Sequence, residues 1–203
     1  ELKTAEIIVM CDGVHPKLAH RETDYQEAIR RLLWFAQREC PGLRVMVHET
    51  HAHQAVMTMA ALERCSTDLV LFVEHDTWPT GPIEWERIAR VVTEGAGGVR
   101  LVRLQHYGGR IHPEHEWLLA DPNPAEIGGL PLYKTRQWSQ RPHLASKGWY
   151  LDLLRRHFAP SRRTMIEDVM HGFAEGAPWE RYGLAVYAPP GDMKRSDTSD
   201  GRG

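Results

Sequence analysis

Asp68-Leu69-Val70-Leu71-Phe72-Val73-Glu74-His75-Asp76-Thr77-Trp78-Pro79 is the stretch on which the reading of the fold turns. An apolar run from Leu69 to Val73 with no polar alternation predicts a strand buried on both faces, the kind found at the centre of a parallel sheet. The run ends abruptly in acid. Glu74 and Asp76 share parity on an extended chain, so both carboxylates are expected to leave the sheet edge on one side, with Pro79 stopping the strand. Hard cations take oxygen ligands from such a pair, and their open positions suit phosphate oxygens. The plainer reading is that the two acids cap the next helix or are simply solvated.

Upstream, Glu6 to Gly13 is an apolar run closed by Asp12-Gly13, a first strand entering a loop. Thr23 or Asp24 is expected to cap the next helix, whose apolar positions Ala28, Leu32, Leu33, Phe35 and Ala36 fit a helical stripe ended by Pro41-Gly42. Leu43 to Thr50 reads as a second strand and Ala55 to Cys65 as a second helix. Downstream, a helix over Ile83 to Thr93 turns at the glycines of residues 95–98 into a strand over Val99 to Leu104. This alternation predicts βαβ units, hence an open α/β nucleotide-binding architecture whose ligands gather at the carboxyl ends of its strands. Asp12, Glu49, Glu74 and Asp76 all sit at such ends.

Beyond Leu104 the pattern breaks. His106 to Pro131 is rich in Gly, Pro and His and reads as a long loop. An extra strand over Leu130 to Trp138, helices over Lys147 to Phe158 and Thr164 to Ala174, and a strand over Tyr182 to Tyr187 are expected to follow. Pro189 onward reads as a mobile polar tail.

A chain of 203 residues with 42% apolar content is expected to form one globular domain with a sizeable core. Its formal charge of −2 gives no global argument for nucleic acid or membrane. Three cysteines, Cys11, Cys40 and Cys65, without CxxC spacing, point to reduced thiols and a cytoplasmic setting. No apolar run reaches the length of a membrane span, and no signal peptide is visible. The chain starts at Glu1, which leaves room for a preceding segment.

The order of βαβ units, the strand ending in two acids one residue apart, the later basic and aromatic segment, and Ile166-Glu167-Asp168 opening a short helix together resemble a GT-A glycosyltransferase of the family-2-like group. The resemblance covers roughly residues 6 to 188 as an ordering of elements. It implies a GT-A (Rossmann-like) α/β domain over 1–188, with a mixed, mostly parallel sheet flanked by helices, and a tail over 189–203 serving as a donor-site lid. It further implies that Glu74-His75-Asp76 stands at the family's DxD position, holding Mn2+ or Mg2+ against the diphosphate of a nucleotide-diphosphate sugar. Glu74 replaces the first Asp, which keeps the charge and lengthens the arm, so it is open to metal or to ribose.

Of the pair Glu167-Asp168, the resemblance makes Asp168 the base that takes the proton of the acceptor hydroxyl in an inverting displacement. The ordinary alternative is a helix acid favoured by the macrodipole. His171, three residues on, resembles a late metal ligand, and His75 is the weaker candidate. By family position Glu49 and Asp12 are expected to contact the nucleotide base or ribose, and Lys194 or Arg195 to neutralise the leaving diphosphate.

Between Lys134 and Arg163 stand Lys134, Arg136, Arg141, Lys147, Arg155, Arg156, Arg162 and Arg163 against one acid, Asp152, with Trp138, His143, Trp149 and Tyr150 interleaved. Phosphate contacts and stacking use this mixture, so Trp138, Arg141, His143 and Trp149 are acceptor-binding candidates. The acceptor class stays open among a hydroxymethylated DNA base, a phosphorylated lipid and a saccharide. A solvated helix face with Trp149 and Leu153 in the core is the competing reading. The run His48-Glu49-Thr50-His51-Ala52-His53 invites zinc but lacks HExxH spacing. Two rival functions remain at this level: a nucleotidyltransferase, which would want a phosphate loop absent from the first strand, and a noncatalytic sugar- or nucleic-acid-binding module.

Overall fold

The computed structural model describes residues 5–106, 118–158, 164–189 and 194–198. The chain divides into two compact units, Glu1–Ser66 with Leu151–Met165, and Thr67–Tyr150 with Ile166–Gly203.

In the first unit β1 (Ile7–Cys11) and β2 (Leu43–Val47) pair in parallel, Ile7 opposite Leu43 through Cys11 opposite Val47. A parallel pair needs a crossover, and α1 (Glu22–Arg38) supplies it. A 3-10 turn over Pro16–Arg21 leads into α1, so Thr23 and Asp24 fall inside the first turn rather than at the cap. The stripe predicted for α1 is also corrected: Ile29 and Ala36 are its buried residues, while Leu33 and Phe35 are exposed. Then comes α2 (His53–Arg64), which buries Ala55, Thr58 and Leu62. Gly13 is required where β1 gives way to the loop, because a Cβ there would lie 2.2 Å from the backbone carbon of Thr50.

The second unit contains β3 (Leu69–Phe72), β4 (Thr77–Pro79), α3 (Trp85–Glu94), β5 (Leu101–Leu104), β6 (Ala125–Ile127), β7 (Leu130–Lys134) and β8 (His143–Ser146). These are followed by α4 (Lys147–His157), which the division between units crosses after Tyr150, then α5 (Ile166–Glu175), β9 (Leu184–Tyr187) and β10 (Ser196–Thr198). Its main sheet has six strands in the order β3-β8-β5-β9-β7-β6. Only β5 and β9 run parallel; the four other neighbour pairs are antiparallel, so the expected mostly parallel sheet is corrected.

Two segments cause the difference. The short β8 returns between β3 and β5, and β7 comes back against β9 from a hairpin whose loop is Gly128-Gly129, both at positive φ. The long loop expected over His106 to Pro131 is therefore interrupted by β6 and the hairpin, while residues 107–117 of it lie outside the described residues.

The acid-tipped strand is also not where its composition put it. β3 lies at an edge of this sheet with all four residues half-buried, whereas β5 and β9 are buried along their whole length. The core around them takes Ile88, Val91 and Val92 from α3 and packs them on Val102, Leu104, Leu130, Leu132 and Ala185. Burying such side chains contributes on the order of 1.5–3 kcal/mol each and fixes the platform that carries the site. No helix among the described residues is long and apolar enough to cross a membrane.

Candidate functional site

The strand-exit acids stand on a turn. β3 stops at Phe72, and the amide of Thr77 donates to the carbonyl of Glu74 at 3.2 Å, so residues 74–77 reverse the chain into β4. The shared parity predicted for an extended strand therefore does not apply. His75 is exposed, Glu74 and Asp76 are half-buried, and Thr77 is buried. Asp76 Oδ1 is enclosed and has no hydrogen-bond partner among the described residues. A buried carboxylate oxygen without a donor costs about 1–3 kcal/mol or more.

The tail strand reaches this turn. β10 pairs antiparallel with β4, Thr198 opposite Thr77 and Ser196 opposite Pro79. The amides of Arg195 and Ser196 both donate to the carbonyl of Gln105 at 2.9 Å, beyond the end of β5, and the amide of Thr80 donates to Arg195 at 2.9 Å. Arg195 is buried, and its guanidinium meets the Tyr187 hydroxyl, whose titration burial pushes up while Arg195 opposes the shift. That placement makes Arg195 an anchor of the tail rather than a free cation for the leaving diphosphate. Lys194 is at the surface, 3.2 Å from Asp197. Residues 190–193 of the expected lid lie outside the described residues.

Beneath the turn is an aromatic cluster. Phe72 stacks on His143 at 5.0 Å between ring centroids, 14° from parallel. Trp138 meets His143 edge-on at 6.3 Å, and Tyr150 lies 5.5 Å from His143 and 5.9 Å from Trp138. Trp149, half-buried, stacks on Trp138 at 6.4 Å.

His143 Nδ1 is 2.8 Å from the carbonyl of Arg141 and therefore carries the proton there. Burial holds this imidazole neutral, lowering its pKa to about 4; the Arg141 carbonyl opposes the shift and the Arg103 charge adds to it. The Tyr150 hydroxyl is pushed far up by burial first and by the Glu74 charge second, which puts Glu74 within electrostatic reach of the cluster. Trp138 is 1% exposed and His143 0%, so both rings expected to stack on an acceptor are packed inside the cluster.

Helix α5 meets the same cluster. Ile166, Val169 and Met170 are its buried side, Glu167 is half-buried and Asp168 is exposed in the first turn. His171 Nδ1 points at the Trp138 carbonyl at 3.5 Å, and its Nε2 lies 3.9 Å from Glu175. Trp138 thus joins the two acid-bearing segments, through its ring to the cluster under Glu74 and through its carbonyl to the helix of Asp168. Among the described residues no group of three or more His, Cys, Asp or Glu side chains is arranged to hold a metal ion. The triad expected of Glu74, Asp76 and His171 is accordingly not assembled, because His171 faces Trp138 and its own helix. A divalent ion on this turn would draw on its carboxylates, Asp76 Oδ1 above all, and complete its shell from phosphate and water oxygens.

The strand-end acids of the first unit do other work. Asp12 Oδ1 accepts from Gly13 at 2.9 Å and Ala52 at 2.7 Å; its Oδ2 accepts from the amide of His53 at 2.9 Å and from His51 Nδ1 at 2.8 Å. A carboxylate has about four acceptor positions, and these four contacts fill them, so Asp12, expected at the nucleotide, caps the start of α2. His51 is held by this bond and His48 Nδ1 by the Thr50 carbonyl at 2.9 Å, and among the described residues the run gathers no group of three metal-ligating side chains. Glu49 is exposed in the bend after β2.

The basic segment is partly absorbed by structure too. Lys134 sits 4.3 Å over the Trp179 ring and Arg155 pairs with Glu63 at 2.9 Å, while Arg141 is half-buried near the start of β8. Arg162 and Arg163 lie outside the described residues. Sequence reasoning missed Thr77 and the buried pair Arg103 and Gln105 at the end of β5, where Arg103 Nη2 donates to Gln137 at 2.8 Å. Two polar residues around one leucine gave no signal beyond strand alternation.

No family model matches the chain, and no curated protein sequence does. Among solved structures the chain is similar in fold to a glycosyltransferase. The structure in question is GalNAc-T7 crystallised with UDP, GalNAc and Mn2+, with a TM-score of 0.52 and 9% identity, covering 96% of this chain and 37% of that one. The chain thus spans little more than a third of that protein, and at this identity the likeness concerns the fold alone.

Proposed function

We propose that this chain transfers a sugar from a nucleotide-diphosphate donor to an acceptor hydroxyl, with the turn at residues 74–77 receiving the diphosphate through a divalent ion. One observation carries the reading: Asp76 Oδ1, buried and without a donor among the described residues, stands on the turn that follows an edge strand of a glycosyltransferase-like fold. The chemistry that Mn2+ or Mg2+ would supply there is neutralisation of charge on the departing diphosphate. Asp76 offers the oxygen for the ion, and Glu74 either a second oxygen or a contact to the ribose. Asp168 is exposed and stands in the first turn of α5, so its carboxylate is open to an acceptor hydroxyl; it takes that proton as the hydroxyl oxygen bonds to the anomeric carbon and the bond to the nucleoside diphosphate breaks on the opposite face, a single displacement that inverts the centre. Glu167 is its half-buried neighbour. Trp149 keeps an accessible edge beside the cluster and is the aromatic best placed to meet a sugar ring.

The test is a thermal-shift screen of UDP and other nucleotide diphosphates and their sugars with and without Mn2+, since a ligand that binds only the native state raises its apparent stability. The expected result is a metal-dependent shift with one nucleotide that Asp76→Asn abolishes, while Asp168→Asn keeps the shift and loses turnover. A shift that survives Asp76→Asn, or one that is indifferent to EDTA, overturns the placement of the diphosphate. Pyrophosphate release from a nucleoside triphosphate would assign the turn to nucleotidyl transfer instead.

A further inference from the structure

Three side chains in the cluster beneath the acid turn carry polar atoms that the fold encloses without pairing. Trp138 Nε1, His143 Nε2 and the Tyr150 hydroxyl are buried, and none has a hydrogen-bond partner among the described residues. Trp138 is almost wholly buried, and His143 and Tyr150 are completely so. Each of the three rings meets the other two, at centroid separations of 5.5, 5.9 and 6.3 Å. Buried indole, imidazole and phenol groups are ordinarily hydrogen-bonded, because bulk water cannot compensate them. One guest shared by the three resolves all of them together.

We infer that this cluster is a binding site for one neutral hydroxyl group, which donates to His143 Nε2 and accepts from Trp138 Nε1 and the Tyr150 hydroxyl. The roles follow from the chemistry of each ring. His143 Nδ1 gives its proton to the Arg141 carbonyl at 2.8 Å, which leaves a lone pair at Nε2. An indole nitrogen only donates, and a phenol does either. A hydroxyl oxygen has one proton to give and two lone pairs to fill, so it matches the set. Two hydrogen bonds through one oxygen span about 4.5–5.5 Å, the scale of these ring separations. A carboxylate or phosphate fits less well, because the Nε2 lone pair and the charge of Glu74 both repel it. An ammonium fits less well, because it meets the indole N–H and the Arg103 charge that acts on the same imidazole. The hydroxyl has two possible sources, an internal water molecule or the sugar of the donor. The second rests on the proposed glycosyl transfer and the first does not. The three atoms are enclosed, so a sugar reaches them only by displacing part of their cover.

A high-resolution crystal structure of the full chain without nucleotide tests the water source. It is expected to show one ordered water within about 3.2 Å of at least two of the three atoms. Tyr150→Phe then removes a bond and is expected to lower the melting temperature by a few degrees, whereas deleting an unbonded buried hydroxyl raises it. For the sugar source the probes are UDP and UDP-glucose with Mn2+. There the free crystal lacks the water, and Tyr150→Phe weakens UDP-glucose about tenfold while leaving UDP unchanged. Should Tyr150→Phe fail to fold, 15N NMR of His143 in the wild type takes its place. An Nε2 that is hydrogen-bonded in the free protein assigns the site to water, and one bonded only with UDP-glucose assigns it to the sugar. Failure of both nucleotides to bind, with the water in place, counts against the donor site alone and leaves the hydroxyl site standing. A free structure without the water, together with a UDP-glucose affinity indifferent to Tyr150→Phe or an Nε2 unbonded in both states, overturns the inference.

Discussion

His143 shows how a side chain suited to catalysis can be committed to packing. Its folded pKa of about 4 lies below the ordinary value of 6.5, so between those values the unfolded chain binds the extra proton. Stability from this group is therefore complete above about pH 6.5 and drains away as pH falls towards 4, by about 3 kcal/mol in all. Urea unfolding at steps between those pH values is expected to show that slope, and His143→Phe to flatten it. Asp12 gives a second contrast. The sequence marks it as a strand-end acid, but only the folded chain reveals that the amides of Ala52 and His53 fall opposite its oxygens. Asp12→Ala is expected to cost about 1–2 kcal/mol in denaturant unfolding, as loss of a helix cap does. It should leave nucleotide affinity unchanged, which a titration of donor would reveal. Asp76 was legible because an acid directly after an apolar run is conspicuous, whereas Thr77, Arg103 and Gln105 became visible only once long-range pairing had enclosed them.

At the level of elements, helices and the first strands were readable because their periodicity is local, and sheet order was not. Leu69–Phe72 is as apolar as a central strand, yet hydrogen bonds from β8, more than seventy residues later, decide that it lies at the sheet edge. The strand that does this, His143–Ser146, has only four residues and opens on a histidine, too short for any alternation to register. The hairpin between β6 and β7 is likewise set by backbone rather than hydrophobic pattern. Gly128→Ala is expected to cost about 1–3 kcal/mol, since φ is +60° and the new Cβ would lie 2.5 Å from Val91 Cγ2. Gly129→Ala, at φ +74° with nothing nearer than 4.0 Å, is expected to cost about 1 kcal/mol. Chemical denaturation of the pair separates strain from crowding.

For the molecule as a whole, the order of elements carried the resemblance that single residues could not. The fold is similar to that of a solved enzyme at 9% identity, so the likeness lies in the fold and not in the residues. The metal triad expected from sequence is not gathered among the described residues; His171 shares a helix with Asp168, and its Nδ1 lies 3.5 Å from the Trp138 carbonyl. Ending the chain after Pro189 tests the integration of the tail. It removes the strand that braces β4 and the buried Arg195 and Ser196. The melting temperature is expected to fall by several degrees, and the metal-dependent shift with nucleotide to weaken with it.

The register of Thr198 with Thr77 also bears on how the protein is made. A ribosome delivers both acids of the turn long before the strand that steadies them, and no local contact can substitute for it. A nascent chain halted short of Ser196 would hold nearly all its core and still lack the strand that pairs with β4, so the turn bearing Glu74 and Asp76 is braced only once that strand has emerged.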